Sequence, residues 1–213
     1  MPRVVDHAAR RSEIVLALWG VIHERGLDGV SFRAVAEAAG VSIGRIQHYF
    51  ASKEELIREG CTQMVVAAQS RYAELSRSGG PEHQLWTLVS GPVPSTRPQR
   101  LGAAVWYAYL AKSVAEPALR EIIGAAIEDA GARAIRLLTT VRSGADGEGT
   151  DAVGARHGAE ARSRSEHEAL ALLALGDGLA QRVVVGAIDG PEALAALAEE
   201  FTRRGLTPGG ILD

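Results

Sequence analysis

Apolar residues recur every three or four positions along most of the chain, which is the spacing expected of amphipathic helices. In residues 7–25, Val15, Leu18 and Ile22 form part of one apolar stripe, and Gly26 supplies the left-handed conformation that commonly ends a helix. The chain is therefore predicted to be all-α. The same signals predict further helices over residues 31–40, 42–50, 52–77, 81–90, 99–114, a segment from 117, 165–188 and 190–204.

Composition supports this fold class and marks one interruption. Alanine, leucine, glutamate and arginine are abundant among the 213 residues, of which 46% are hydrophobic and only 5% aromatic. The stretch over residues 141–163 has its glycines between Gly144 and Gly158 and almost no large apolar side chain, and it is predicted to form a mobile loop. Ser165 and Glu168 have the spacing of a capping box, so the next helix is predicted to begin there.

Two short helices follow one another near the N-terminus. Ser31 is placed to cap the first, Gly40 ends it, and Ser42 opens the second a few residues later. Two short helices joined by a turn that contains glycine are the sequence form of a helix-turn-helix. A capping box, Ser52 with Glu55, predicts that a long fourth helix begins directly after them.

The second short helix carries many hydrogen-bonding side chains. Ile46 and Phe50, four residues apart, are expected to face inward and to hold this helix against a core. The leading turn would then reach base edges in the major groove, and the residues after it would contact phosphates and sugars. The candidates for contacts with base edges are Ser42, Ile43, Gly44 and Arg45. The candidates for contacts with phosphates and sugars are Gln47, His48, Tyr49 and Lys53. The alternative is a polar helix hairpin that simply exposes one face.

The same residues resemble a known family. The segment SFRAVAEAAGVSIGRIQHYFASKEEL, residues 31–56, is similar to the N-terminal signature of TetR-family transcriptional regulators, and the likeness spans roughly residues 8–60. The resemblance implies double-stranded operator DNA as a partner. It implies contacts from Ser31, Arg33, the turn from Ser42 to Arg45, Tyr49 and Lys53. Gln47 departs from the family, which most often has a phosphate-binding tyrosine there, so a base contact is its alternative role.

The resemblance also implies a domain organisation. Residues 1–58 are predicted to form a three-helix helix-turn-helix DNA-binding domain, and residues 59–213 a helical-bundle ligand-binding and dimerisation domain. In the family, a small molecule in the second domain shifts the fourth helix and spreads the two DNA-binding domains of a homodimer. We therefore predict a repressor that an unidentified small-molecule effector releases from DNA. The alternative is a ligand-independent or architectural helix-turn-helix protein.

The last two predicted helices are candidates for the dimer interface. The helix over residues 165–188 is apolar on more than one side, so it needs cover from two directions. In the family, such a pair of helices forms a four-helix interface between two subunits. The predicted interface residues are Leu172, Leu175, Leu179 and Val183 of one helix and Leu194, Leu197 and Phe201 of the other. Burial in the core of one subunit is the alternative.

Large aromatic residues are few and concentrate on the middle helices. Trp86, Trp106 and Tyr109 are predicted to wall an effector pocket, and Asp177, which interrupts an apolar run, is predicted to supply a polar contact. Each prediction has a structural alternative. Helical cores also need large side chains to fill them, and a buried carboxylate can cap a neighbouring helix.

Charge and reactive residues exclude several classes of function. The formal net charge is −3, with +1 over residues 1–58 and −4 over the rest, which argues against an architectural binder that relies on excess basic charge. The six histidines lack metal-ligand spacing, and Cys61, the single cysteine, is predicted to be a packing residue. Without a P-loop or dinucleotide motif, no catalytic site, cofactor or metal is predicted. Because no apolar run is long enough to span a membrane, we expect a soluble cytoplasmic protein.

Overall fold

Helices account for all the regular structure in residues 7–145 and 152–208, the part of the chain that this computed structural model describes. Side chains are described for residues 7–143 and 163–208. The predicted all-α fold is confirmed. Within the described ranges the helices are α1 (His7–Arg25), α2 (Phe32–Ala39), α3 (Ile43–Tyr49), α4 (Lys53–Leu75), α5 (Pro81–Ser90), α6 (Arg97–Ser113), α7 (Pro117–Ala145), α8 (Ala152–Val184) and α9 (Gly190–Arg203).

The short helices α2 and α3 begin and end where the sequence predicts. The Ser31 hydroxyl accepts a hydrogen bond from the Ala34 N–H at 3.1 Å, and the Ser42 hydroxyl accepts one from the Arg45 N–H at 3.3 Å. These caps satisfy N–H groups that the first helical turn leaves unpaired. Between the helices, Gly40 has a φ of 65°, a conformation that residues with a side chain adopt only with strain.

The capping box predicted at the start of α4 is present with one difference. The Ser52 hydroxyl accepts a hydrogen bond from the Glu55 N–H at 3.0 Å, as expected. The Glu55 carboxylate, however, accepts its bond from the N–H of Ala51 at 2.8 Å and not from that of Ser52. Because Ala51 lies in the connection that leaves α3, this bond ties the first turn of α4 to that connection.

The predicted start of α8 at Ser165 is wrong. The helix begins at Ala152, and Ser165 is a buried residue more than three turns further on. Alanine, glutamate and arginine fill the segment before Ser165, and these strong helix formers outweigh Gly154 and Gly158. Residues 141–145 and 152–163 of the predicted loop are therefore helical, while its middle, residues 146–151, lies outside the described residues.

The helices pack as two compact units. The first unit contains the residues up to Gln69 together with Ala104–Ala125, and the second contains Ser70–Ala103 and the residues from Ala126 onward. All three borders fall inside helices, because α4, α6 and α7 each contribute to both units. This division does not test the functional border predicted after residue 58, which stays a prediction.

The core of the first unit combines the apolar stripes of α1 to α4 with residues from α6 and α7. The indole N–H of Trp19 donates a hydrogen bond to the carbonyl of Gly60 at 3.1 Å and so joins α1 to α4. A Cβ at Gly60 would come within 2.5 Å of both the Leu18 side chain and the Tyr109 hydroxyl, so the close approach here requires glycine. The buried residues that α6 and α7 contribute are Val105, Tyr109, Leu119 and Ile123.

The core of the second unit forms around α5, α7, α8 and α9. Trp86 packs edge-on against Phe201, with the ring centroids 5.1 Å apart and the planes at 90°. At one side of this core, Arg142 donates hydrogen bonds to the Glu168 carboxylate at 2.7 Å and to the carbonyl of Arg204 at 2.9 Å. These bonds connect α7 to α8 and to the end of α9. Other fully buried residues are Leu85, Leu138, Leu172 and Leu197.

The single cysteine, Cys61, is fully buried in the first unit. Burial raises the pKa of its thiol to about 11, because apolar surroundings disfavour the charged thiolate. At pH 8 roughly one thiol in a thousand would be ionised, so the native protein is expected not to react with iodoacetamide over minutes. Mass spectrometry should show no added group on the native chain and one group after unfolding in guanidinium. Rapid labelling of native protein at the same pH would contradict this burial.

Candidate nucleic-acid interface

One face of α3 is fixed in the first unit, and the opposite face is open. Ile46 and Phe50 are buried, with 0% and 1% of their surface exposed, as their four-residue spacing predicts. A polar, exposed surface on a helix whose other side is held by a core is the arrangement with which helix-turn-helix proteins enter the major groove. The exposed residues of α3 and its N-cap are Ser42, Ile43, Gly44, Arg45, Gln47 and His48.

The leading turn of α3 offers a free cation and open space. The Arg45 guanidinium is exposed, and the hydrogen bond to the Ser42 hydroxyl comes from the backbone N–H of Arg45. A Cβ added to Gly44 would meet no other protein atom within 4 Å, so a groove wall could approach the backbone closely here. Ile43 is 43% exposed, which is high for a large apolar residue. This turn is therefore suited to DNA, with Ile43 against a thymine methyl and Arg45 on guanine.

Three further predicted residues flank α3. Ser31 and Arg33 are exposed at the start of α2, and Lys53 is the half-buried first residue of α4. The Ser31 hydroxyl accepts its bond from Ala34, which leaves its own proton available for a phosphate oxygen. The Lys53 cation lies at the positive end of the α4 dipole, an unfavourable position that a phosphate opposite would make favourable.

Two predicted residues, His48 and Tyr49, form an aromatic group with His7, the first residue of α1. The ring centroids are 5.1 Å apart for His48 and Tyr49, 5.1 Å for His7 and Tyr49, and 5.9 Å for His7 and His48. Both histidines are exposed and Tyr49 is half-buried. Sequence reasoning missed His7, because the local pattern of α1 gives no sign that its first turn meets the last turn of α3.

The residues predicted for a dimer interface lie mostly inside the second unit. Six are buried in its core and Leu175 is half-buried; the six are Leu172, Leu179, Val183, Leu194, Leu197 and Phe201. A side chain already buried in one chain has little surface left for a second copy, so this packing favours the alternative of core burial for the six. A single chain does not test their place in a dimer, which stays a prediction. Apolar residues that remain exposed include Leu170 on α8 and Val185 directly after its end, at 67% and 71%.

The predicted effector residues are distributed over both units. Trp86 is buried against Phe201 in the second unit, whereas Tyr109 is buried and Trp106 half-buried in the first. Burial holds the pKa of the Tyr109 hydroxyl far above its usual value, so this group is neutral. Asp177 is exposed on α8, and the protein around it still raises the pKa of its carboxyl by desolvation. None of these placements tests effector binding, which stays a prediction.

Two hollows on the first unit are lined by residues other than the predicted effector contacts. A groove of about 470 Å³ has walls that carry two arginines and three glutamates; it is lined by Arg11, Glu55, Arg58, Glu59, Thr62, Ala118, Glu121 and Ile122. Its volume is that of a small-molecule site, but such sites are mostly apolar. A smaller hollow of about 50 Å³ lies beside α3 and is lined by Arg10, Glu13, Ile14, Ala39, Val41, Arg45 and Tyr49.

The described residues include no candidate metal site and no candidate membrane-spanning helix. Among them, no three His, Cys, Asp or Glu side chains form a group able to hold a metal ion. None of the helices in these ranges is both long and apolar enough to cross a membrane. Nucleic-acid contact is the chemistry for which the described part of the chain offers an assembled surface, the open face of α3.

Known proteins match the chain across this surface. HTH-type transcriptional regulator PksA of Bacillus subtilis is 32% identical over 112 residues, which cover 52% of this chain. HTH-type transcriptional regulator BetI of Escherichia coli is 31% identical over 124 residues, which cover 56%. The pattern of bacterial regulatory proteins of the tetR family matches residues 14–59, a segment that includes α2, α3 and the start of α4. Through this segment the chain is similar to the TetR family.

Solved structures extend the likeness to nearly the whole length of the chain. A transcriptional regulator from Rhodococcus sp. Rha1 has a TM-score of 0.71 and 26% identity, covering 95% of this chain and 99% of its own. A Saccharomonospora viridis protein solved in complex with choline has a TM-score of 0.77 at 21% identity, covering 93% and 98%. At that identity the second likeness shows the fold alone.

The curated relatives match this chain over only part of their own length. The aligned part spans 55% of PksA and 63% of BetI, less than two thirds of either. The curated proteins that the chain matches over this length are TetR-family transcriptional regulators.

Proposed function

We propose that this protein is a one-component repressor of the TetR family that binds palindromic operator DNA as a homodimer and is released by a small-molecule effector. It would act in the cytoplasm, where bacterial operator DNA lies. The observation that carries the proposal is the open polar face of α3 behind which Ile46 and Phe50 are buried. Such a helix can press its leading turn into a major groove without losing its own packing.

The proposed DNA contacts divide into two groups by their chemistry. Ser42, Ile43, Gly44, Arg45 and Gln47 would meet base edges, because Arg can bond to guanine, Gln to adenine, Ser to either kind of edge and an apolar side chain to a thymine methyl. The contacts that fix the protein on the duplex without reading sequence would come from Ser31, Arg33, His48, Tyr49 and Lys53. All but Lys53 and Tyr49 are exposed, and those two are half-buried at the edge of the same surface.

Dimerisation through α8 and α9 is supported by what α8 leaves uncovered. Leu170, Ala174 and Gly178 lie on one side of this helix, at intervals of four. Val185, seven residues after Gly178 and directly after the helix, continues this side because its N–H still bonds to the Gln181 carbonyl. All four are exposed except Gly178, which is half-buried. Small residues let two helices approach closely, and the two apolar residues at the ends would lose their exposed surface in a symmetric contact. The proposed interface therefore uses this outward side of α8.

Effector control is proposed from the behaviour of the family. Trp86, Trp106, Tyr109 and Asp177 stay the first candidates for contacts with the effector. By thermodynamic linkage, an effector that weakens DNA binding must itself bind the DNA-bound protein less well by the same factor. A screen of small molecules for release of the protein from its selected DNA would find such an effector.

Replacing Arg45 tests the assignment of base contacts. Arg45→Ala is expected to weaken operator binding by roughly 1–3 kcal/mol and to relax the preference at one base position, because a bond forked onto guanine is lost. Duplexes selected by the wild-type protein from a random pool provide the operator. Fluorescence anisotropy with this duplex and its single-base variants then measures the loss at each position.

Lys53→Ala provides the matched comparison for that experiment. It removes one positive charge from the same surface, but its expected contact is a phosphate, so all sequences should weaken alike. The slope of log Kd against log salt should flatten by about one unit. If Arg45→Ala also weakened operator and random DNA equally, Arg45 would be a phosphate contact and its assignment to a base would be wrong.

A further inference from the structure

Arg11, on the second turn of α1, contacts three other parts of the first unit. Its Nη1 donates a hydrogen bond to the carbonyl of Tyr49 at 2.6 Å, and its Nη2 donates one to Glu59 at 3.2 Å and lies 3.6 Å from Glu55. Its Cζ is 4.3 Å from the centre of the Phe50 ring. One side chain therefore holds the end of α3 and the first two turns of α4 against α1.

The bond to Tyr49 closes the C-terminal end of α3. Carbonyl groups in the last turn of a helix have no partner within the helix, and a cation there also meets the negative end of the helix dipole. In this seven-residue helix the bond adds a polar anchor at the end that the buried Ile46 and Phe50 already hold by packing. Residues 42–45 lie within two turns of the bond, so any tilt of the end of α3 moves them as well.

The two glutamates that face Arg11 are themselves held in place. Glu55 accepts a hydrogen bond from the Ala51 N–H at 2.8 Å, and Glu59 accepts one from the Gln63 side chain, also at 2.8 Å. The Gln63 bond, together with Arg11, holds the pKa of the Glu59 carboxyl below its usual range, so Glu59 is ionised at neutral pH. The Arg11 side chain is only 29% exposed, which limits the screening of these charges by water and salt.

We propose that Arg11 is a positioning residue for DNA recognition, because it sets the orientation in which α3 presents residues 42–45 to the major groove. This inference rests on the proposed function. The guanidinium donors of Arg11 already bond to protein acceptors, which distinguishes it from the residues expected to touch phosphates. Loss of Arg11 should therefore reduce the discrimination between operator and random DNA and leave the number of phosphate contacts unchanged.

Arg11→Gln is expected to weaken operator binding roughly ten- to hundred-fold, and to change binding to random duplex DNA by less than about three-fold. The slope of log Kd against log salt should stay that of the wild type, because no phosphate contact is lost. Arg11→Lys keeps the charge but cannot bond to two acceptors and stack on Phe50 at once, so it should lose discrimination in the same direction. Anisotropy titrations with operator and random duplexes at several salt concentrations measure these quantities.

Hydrogen exchange in the free protein gives a readout that does not depend on DNA. The backbone amides of residues 46–50 should exchange faster in Arg11→Gln than in the wild type, because the end of α3 is released. Arg25→Gln is the matched control. It removes one exposed positive charge from the last residue of the same helix, about 21 Å further along the axis, and should leave both the exchange rates and operator binding unchanged.

Two results would overturn the inference. One is a folded Arg11→Gln variant that binds the operator as tightly as the wild type; the other is a salt slope that falls as it does for Lys53→Ala. If Arg11→Gln does not fold, Arg11→Lys decides by the same criteria. If the wild-type protein prefers no selected duplex over random DNA, the proposed function fails. In that case faster exchange in α3 still supports the positioning role of Arg11, and unchanged exchange rejects it.

Discussion

Phe201→Ala is expected to lower the free energy of unfolding by about 3–5 kcal/mol, the usual cost of removing a large aromatic side chain from a core. Phe201 is fully buried on α9, and its ring packs at a right angle to that of Trp86. The substitution removes this aromatic pair and leaves a cavity that α9 cannot close without moving. Urea unfolding followed by circular dichroism, at several protein concentrations, measures the loss and separates it from any effect on assembly.

The control for this experiment is Val114→Ala. Val114 is 76% exposed, so its truncation should change stability by less than about 0.5 kcal/mol. The pair of variants also decides between the two roles considered for Phe201. If Phe201→Ala keeps the wild-type stability of the chain and only weakens the dimer, Phe201 belongs to the interface and the assignment to the core is wrong.

Ala174→Arg is expected to convert the proposed dimer into a monomer and to weaken operator binding by roughly a hundred-fold or more, because binding through two linked half-sites is lost. Ala174 lies on the exposed side of α8 between Leu170 and Val185, the residue directly after the helix. In a two-fold symmetric contact the same residue of both copies lies in the interface. The substitution would therefore put two unpaired positive charges opposite each other between apolar surfaces. Sedimentation at micromolar concentration should change from twice 22.5 kDa to 22.5 kDa.

A charge introduced elsewhere on the same unit provides the comparison. Ala132 is exposed on α7, and Ala132→Arg should leave both the mass and the operator affinity as they are in the wild type. Val183→Arg would be a poor test, because Val183 is buried in the core and the charge would unfold the chain before it separated two copies. A dimer that persists in Ala174→Arg would show that the contact lies on another surface.

Local signals in the sequence were sufficient to predict much of the fold. Ser31, Gly40 and Ser42 act on backbone groups within four residues of themselves, so their effects can be read from the chain alone, and the structure places them as predicted. The spacing of Ile46 and Phe50 likewise identified the inner side of α3 and, by exclusion, the open side. The candidate DNA surface follows from these short-range patterns.

Contacts between distant residues could not be predicted in the same way. An apolar stripe shows that a helix is covered but not what covers it, which is why Leu197 and Phe201 could be assigned to an interface although they fill a core. Arg11 and Tyr49 are 38 residues apart, and nothing near either one indicates their bond. At Ser165 a local signal misled, because Ser–Glu spacing also occurs inside a helix when the residues before it favour helix formation.

The first unit cannot be cut out of the chain as one continuous piece. Val105, Tyr109, Leu119 and Ile123 complete its core, but the stretch Ser70–Ala103, which belongs to the second unit, separates them from α1–α4 along the chain. A fragment that stopped at residue 58 would expose to water the apolar surfaces that these four side chains cover. A grafted N-terminal segment would therefore bring an incomplete core into another regulator. To transfer the DNA sequence preference of this protein, the surface residues of α3 would have to be exchanged within the other regulator's own domain.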